Sequence, residues 1–131
     1  MDVALNYTFI LTQSPSQSES HSTAQRLISE LIENGDTIDR VFFYQDAAFI
    51  GLKSQIPGQG LEATYQGWLD LQNKQQFPLQ ICIANALRRG IVDKAESERY
   101  QGLETMHGRF QLSGLGEIAD ACRSSDRIIT L

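Results

Sequence analysis

LQICIANALRRGI, residues 79–91, holds two structural patterns back to back. Leu79, Ile81, Ile83 and Ala84 are strand-like and enclose Cys82. Asn85 is a residue type that caps helices, Arg88 and Arg89 add positive charge close behind, and Gly90 cuts the helix short. A strand that runs directly into a helix is half of a βαβ unit. Whether that unit recurs along the chain decides the fold.

It recurs on both sides. Upstream, VALNYTFIL (3–11) reads as a first strand, followed by a polar loop with Ser14, Pro15, Ser16, Ser18 and Ser20. Ala24, Leu27, Ile28, Leu31 and Ile32 then fall at helical spacing, with Ser22 and Gln25 placed for a capping box and Gly35 as the stop. TIDRVFFY (37–44) is a second strand, and its nearly continuous apolar end suits a strand covered on both faces. The long connection QDAAFIGLKSQIPGQG (45–60) has room for one helical turn around residues 47–52. Leu61, Tyr65, Trp68 and Leu69 mark a second helix, closed off by Pro78.

Downstream, Asp93 and Glu96 can cap another short helix, and FQLSG (110–114) supplies a fourth strand. Ser113 is then expected to cap a helix with the stripe Leu115, Ile118, Ala119 and Cys122, before DRIITL ends the chain as a fifth strand. The alternation predicts an α/β fold, a three-layer sandwich about a mainly parallel five-stranded sheet, as a single domain over residues 1–131.

Composition narrows the function. Sixteen acidic residues against eleven basic ones give a formal charge of −5, which argues against direct non-specific binding to nucleic acid or an anionic membrane. No apolar run reaches the roughly 18–20 residues of a membrane helix, and the acid at Asp2 with no basic lead-in makes the amino terminus a strand and not a signal peptide. Two cysteines suggest no disulfide framework, and a reducing cytoplasm is the expected setting. His21 and His107 belong to no ligand-spaced cluster and read as solvated loop residues. Neither a Walker loop nor a G-x-S-x-G elbow is present.

The thiols therefore carry the chemical question. Cys122 completes the apolar stripe begun at Leu115, so it is expected to face the sheet as an inert packing residue. Cys82 has two readings. Any doubly covered strand buries alternate residues, which would make it a small hydrophobe. Reacting groups in parallel sheets also gather at the carboxyl ends of strands, beside helix amino termini, where unpaired N–H groups favour a thiolate. On that second reading Asn85, Arg88 and Arg89 support the sulfur anion.

VFFYQDA (41–47), ICIANALRRGIVD (81–93) and LSGLGEIADACRSSDRIITL (112–131) resemble the DsrE-like sulfur relay family, most closely its TusD branch. The resemblance covers nearly the whole chain. It implies an α/β fold with a largely parallel five-stranded sheet and a sulfurtransferase that carries a persulfide on Cys82, with no metal, nucleotide or organic cofactor. It further implies TusB-like and TusC-like partner subunits, two copies of each in a heterohexamer, a TusA-like donor and a TusE-like acceptor. The sulfur then ends in the 2-thio group of the wobble uridine of transfer RNA. The alternatives are a structural subunit with a buried Cys82, or a DsrE-type protein of oxidative sulfur metabolism. Ala47 and Ala48 stand where relatives often carry glycine, and the first loop is serine-rich; both departures are expected at the rim or on a partner surface.

Overall fold

Strand-period and helix-period segments alternate along this chain, and the backbone follows them. The computed structural model describes residues 3–17, 19–56 and 62–131. Leu61 and the tip of the 45–60 connection therefore lie outside the described residues. The elements are β1 (Asn6–Leu11), α1 (Ser20–Glu33), β2 (Thr37–Phe43), a 3-10 segment (Gln45–Gly51), α2 (Glu62–Gln75), β3 (Leu79–Cys82), α3 (Ile83–Arg88), α4 (Lys94–Tyr100), β4 (Gln111–Ser113), α5 (Gly116–Ser124) and β5 (Arg127–Thr130). The five strands form one sheet in the order β4-β3-β2-β1-β5, and every pairing is parallel.

That order sets the layers. From β1 to β4 the chain steps in one direction across the sheet, and right-handed crossovers then put α1 to α4 on one face. The step from β4 to β5 goes back past β1, which sends α5 to the opposite face. Side chains agree with this division. Phe9, Leu11, Val41, Phe43, Leu79 and Ile81 share one core with Ala24 and Ile28 of α1 and Trp68 of α2. Their strand neighbours Thr8, Arg40, Phe42, Gln80 and Cys82 point to the α5 side, as the register Phe42↔Gln80 and Phe43↔Ile81 requires. Arg40 fastens α5 there, bonding Glu117 Oε2 at 2.6 Å and the Glu117 carbonyl at 2.9 Å, while Gln80 Nε2 reaches the same carboxylate at 3.3 Å.

Several local expectations shift. Helix α1 starts at Ser20, ahead of the predicted cap, and the Ser22 hydroxyl donates back to the Glu19 carbonyl instead of capping. Ser113 ends β4 and does not cap α5, which starts at Gly116. Leu115 stands outside that helix and is 57 % exposed, so a stripe counted from it is rotated. The Arg40–Glu117 pair turns Glu117 and Ala121 inward, and Cys122 is exposed. Cys122 is thus not the core residue the pattern suggested. Asp93 does cap α4, its carboxylate accepting from Glu96 N at 2.8 Å. Trp68 and Phe110 are core, whereas Phe49 is half-buried.

Candidate active site

Cys82 is the last residue of β3 and the one that precedes the first turn of α3. The strand was expected to continue to Ala84. It ends earlier because β2 offers partners only as far as Phe43, opposite Ile81, and β4 only to Ser113, opposite Cys82. Beyond them no neighbouring strand can take the backbone N–H and C=O groups, so from Ile83 the chain satisfies its own in a helix. Asn85 consequently lies inside α3 and is not its cap. With six residues the helix is too short to carry much of a macrodipole.

The Cys82 side chain is 3 % exposed on the α5 face of the sheet. One strand over, Tyr44 follows Phe43, the residue that ends β2 opposite Ile81. Tyr44 lines an apolar cleft of about 460 Å3 together with Ile10, Leu115, Ile118 and Ala119. A second cleft, of about 250 Å3, opens on the other face between Pro15, Phe49, Tyr65 and His107.

The polar residues near Cys82 have specific partners. Asn85 Oδ1 accepts the backbone N–H of Gln45 at 2.8 Å. The Arg89 guanidinium grips Asp46 Oδ1 from Nε at 3.0 Å and from Nη2 at 2.9 Å, and donates from Nη1 to the Asn85 carbonyl at 3.1 Å. Arg88 is exposed. Asn85 and Arg89 therefore come together on one face of α3, directed at the 3-10 segment. Sequence reasoning missed Asp46 and Gln45. No spacing rule links residues some forty positions apart; Asp46 offered only its position just after a predicted strand.

Beneath that segment the packing is close. Ala47, Ala48 and Ala86 are fully buried, so the two alanines are interior residues and not rim or partner surface. Gly51 sits against the Ile81 side chain, one residue before Cys82. Behind the strand ends, Phe43 meets Trp68 edge-on at 5.2 Å and stacks on His21 at 5.9 Å. His21 is 1 % exposed and no solvated loop residue: Nε2–H donates to the Gln13 carbonyl at 2.8 Å, and Nδ1 accepts from Trp68 Nε1–H at 3.2 Å. Burial pushes its pKa down to about 4, against the opposing bond to Gln13. His107 is half-buried, stacked on Tyr65 at 4.0 Å, and its pKa is lowered by burial and by Lys53.

An all-parallel five-stranded sheet with helices on both faces places the chain among α/β sandwich domains. The chain belongs to the DsrE/DsrF-like family, which matches residues 6–131. Among its relatives is a protein of Vibrio vulnificus named sulfurtransferase TusD homolog, 34 % identical over 127 residues, or 96 % of this chain and 97 % of that one. A DsrE sequence of Allochromatium vinosum is 29 % identical over 126 residues, covering 95 % and 97 % of the two chains. The crystal structure of the ychN protein from E. coli superposes with a TM-score of 0.72 at 26 % identity, covering 97 % of this chain and 99 % of that one.

Proposed function

We propose that this chain is a sulfur-relay sulfurtransferase, a single domain that carries its cargo as a persulfide on Cys82. The broad activity rests on relatives named sulfurtransferase along nearly the whole length. The choice of Cys82 rests on its place at the carboxyl end of β3, where α3 begins. Of the two thiols, only this one sits where a parallel sheet presents its reacting groups.

The chemistry is thiol exchange. The Cys82 thiolate attacks the outer sulfur of a donor persulfide, R–S–SH. The new S–S bond forms on Cys82 as the donor's own S–S bond breaks and R–S⁻ leaves, so one sulfane sulfur moves and no external oxidant is used. An acceptor thiolate then repeats the attack on the Cys82 persulfide. Burial of the sulfur fits the cargo, because an anionic persulfide left open to oxidant climbs an irreversible ladder. No metal, nucleotide or organic cofactor takes part in these steps. Asn85, Arg88 and Arg89 were assigned to the anion. Arg89 serves it indirectly on this reading, since its guanidinium is engaged with Asp46 and the Asn85 carbonyl, and Asn85 Oδ1 is an acceptor turned to Gln45.

The finer reading follows the TusD relatives. A TusA-like carrier supplies the sulfur, TusB-like and TusC-like subunits complete a heterohexamer, and a TusE-like protein takes the sulfur onward to 2-thiouridine in transfer RNA. The chain's charge of −5 fits a cytoplasmic carrier that leaves the nucleic acid to others. Among the described residues no helix is long and apolar enough to cross a membrane. The DsrE relative keeps oxidative sulfur metabolism as the second reading.

Intact mass of the purified chain after mixing with a persulfidated carrier tests the proposal. One sulfur gained by wild type, removed by reductant and absent from Cys82→Ser, is the expected result. A wild type that stays unmodified both alone and in its co-purified complex, while the donor remains loaded, overturns it in favour of a structural subunit.

A further inference from the structure

Four residues form a closed brace beside the proposed sulfur carrier. Gln45 and Asp46 are consecutive in the 3-10 segment; Asn85 and Arg89 are one turn apart on α3 and at its end. Each bond of the brace completes another. Gln45 has a left-handed backbone, φ 53°, which a residue with a side chain adopts only when its surroundings hold it there. In this position its N–H meets the Asn85 side chain. The Asn85 carbonyl, at the unsatisfied end of a six-residue helix, receives Arg89 Nη1, and the same guanidinium is locked by Asp46. The Arg89 side chain is 24 % exposed and that of Asp46 56 %, so the guanidinium is the shielded end of the pair.

We propose that Asn85, Arg89 and Asp46 are positioning residues of the Cys82 site. They hold the first turn of α3 against the 3-10 segment and so fix where the sulfur stands at the end of β3. α3 is too short to persist by itself, because nucleation costs more than one turn of hydrogen bonds returns. Its other anchors include Ala86 in the core and the ends of β3 and β4. Without the brace the turn opens locally, Cys82 becomes easier for a small reagent to reach, and its alignment for in-line attack on a donor sulfur is lost. These two effects run in opposite directions, which a general loss of stability does not produce. The alignment half of the proposal rests on Cys82 being the sulfur carrier; the access half does not.

The test uses the full chain in a Cys122→Ser background, since exposed Cys122 would otherwise react. Two rates are measured at Cys82: sulfur uptake from glutathione persulfide, over a range of its concentration, and alkylation by iodoacetamide. In Asp46→Asn and Asn85→Ala, uptake at saturating persulfide is expected to fall about tenfold, with the half-saturating concentration unchanged. Alkylation is expected to rise by about fivefold. Asp46→Glu keeps the carboxylate and should stay within about twofold of wild type in both. Arg89→Lys, which cannot fork between Asp46 and the Asn85 carbonyl, should resemble Asp46→Asn.

Wild-type rates of both kinds in Asp46→Asn and Asn85→Ala overturn the brace. So does an Asp46→Glu protein that falls as far as Asp46→Asn. If the wild type takes up no sulfur, alone or in its co-purified complex, while the variants still alkylate faster, the carrier assignment fails and the brace stands. Should Asn85→Ala lose its melting transition, the decision passes to the exposed site: a contrast between Asp46→Asn and Asp46→Glu supports the brace, and equality of the two overturns it.

Discussion

His21 shows how one buried ring can set a protein's acid limit. Both ring nitrogens are satisfied in a single neutral tautomer, with the proton on Nε2 toward Gln13 and the lone pair of Nδ1 toward Trp68. A second proton would set Nδ1–H against Trp68 Nε1–H in a site without water's dielectric. Chiefly because the ring is buried, the folded state takes up that proton only near pH 4, whereas the unfolded chain does so near the ordinary 6.5. Between those values the unfolded state binds more protons, so stability is full above about 6.5 and drains as pH falls toward 4. The loss amounts to about 3 kcal/mol. Urea midpoints at pH 7.5 and 4.5 measure it. Trp68→Phe is expected to cost about 1–3 kcal/mol at the higher pH yet to flatten the acid limb, because Nδ1 is then free to hold a proton. A limb as steep as that of wild type would leave burial of the ring, and not the Trp68 contact, as its cause.

At the scale of elements, the 3-10 segment is the part that brings β3, α3 and the core into one arrangement. Its small residues make that possible: Ala47 and Ala48 are buried, and a Cβ on Gly51 would run into Ile81 Cδ1, with Met106 close behind. Ile81 Cδ1 is the far end of its side chain, so rotation relieves part of the overlap and only the remainder reaches β3, which carries Cys82. Gly51→Ala is expected to destabilise the protein by about 1–3 kcal/mol in urea and to slow sulfur uptake by Cys82. A variant with unchanged midpoint and unchanged uptake would mean that the segment yields without moving β3. Almost none of this arrangement was legible in the sequence. Residues 47–52 read as one turn of helix in a long connection, while the brace joins residues that only the βαβ crossover brings together.

For the whole molecule, the uneven covering of the sheet has thermodynamic consequences. One face packs on α1 and α2, with Phe9, Phe43, Trp68 and Leu79 fully buried. The other is held by α5, nine residues with Ala121 as the buried one, and β5 is an edge strand with three of its four residues exposed. Local opening free energy follows buried apolar contact. Native-state hydrogen exchange is therefore expected to show β1, β2 and β3 protected to the level of global unfolding, with α5 and β5 released earlier. Arg40 and Glu117 are the principal polar link across that seam. Glu117→Ala should widen the gap between the two classes of amide, and uniform protection across the sheet would contradict the uneven division.

What the sequence determined alone was whatever depends on local periodicity. Five strand patterns, the helical stripe of Ala24, Ile28 and Leu31, and the Asp93 cap each need only a few neighbouring residues. Together with short right-handed connections they leave a parallel α/β sheet as the outcome. Motif resemblance reached as far as the family. The tertiary structure decided what depends on distance in space: the end of β3 at Cys82, where its neighbours stop; the burial of His21 against Trp68; and the exposure of Cys122, once Arg40 turned Glu117 inward. It also engaged Asn85 and Arg89 with Gln45 and Asp46. The physical reason is the same in each case. A hydrogen bond or a packed face is satisfied by whichever group lies within a few ångströms, and sequence separation does not measure that distance.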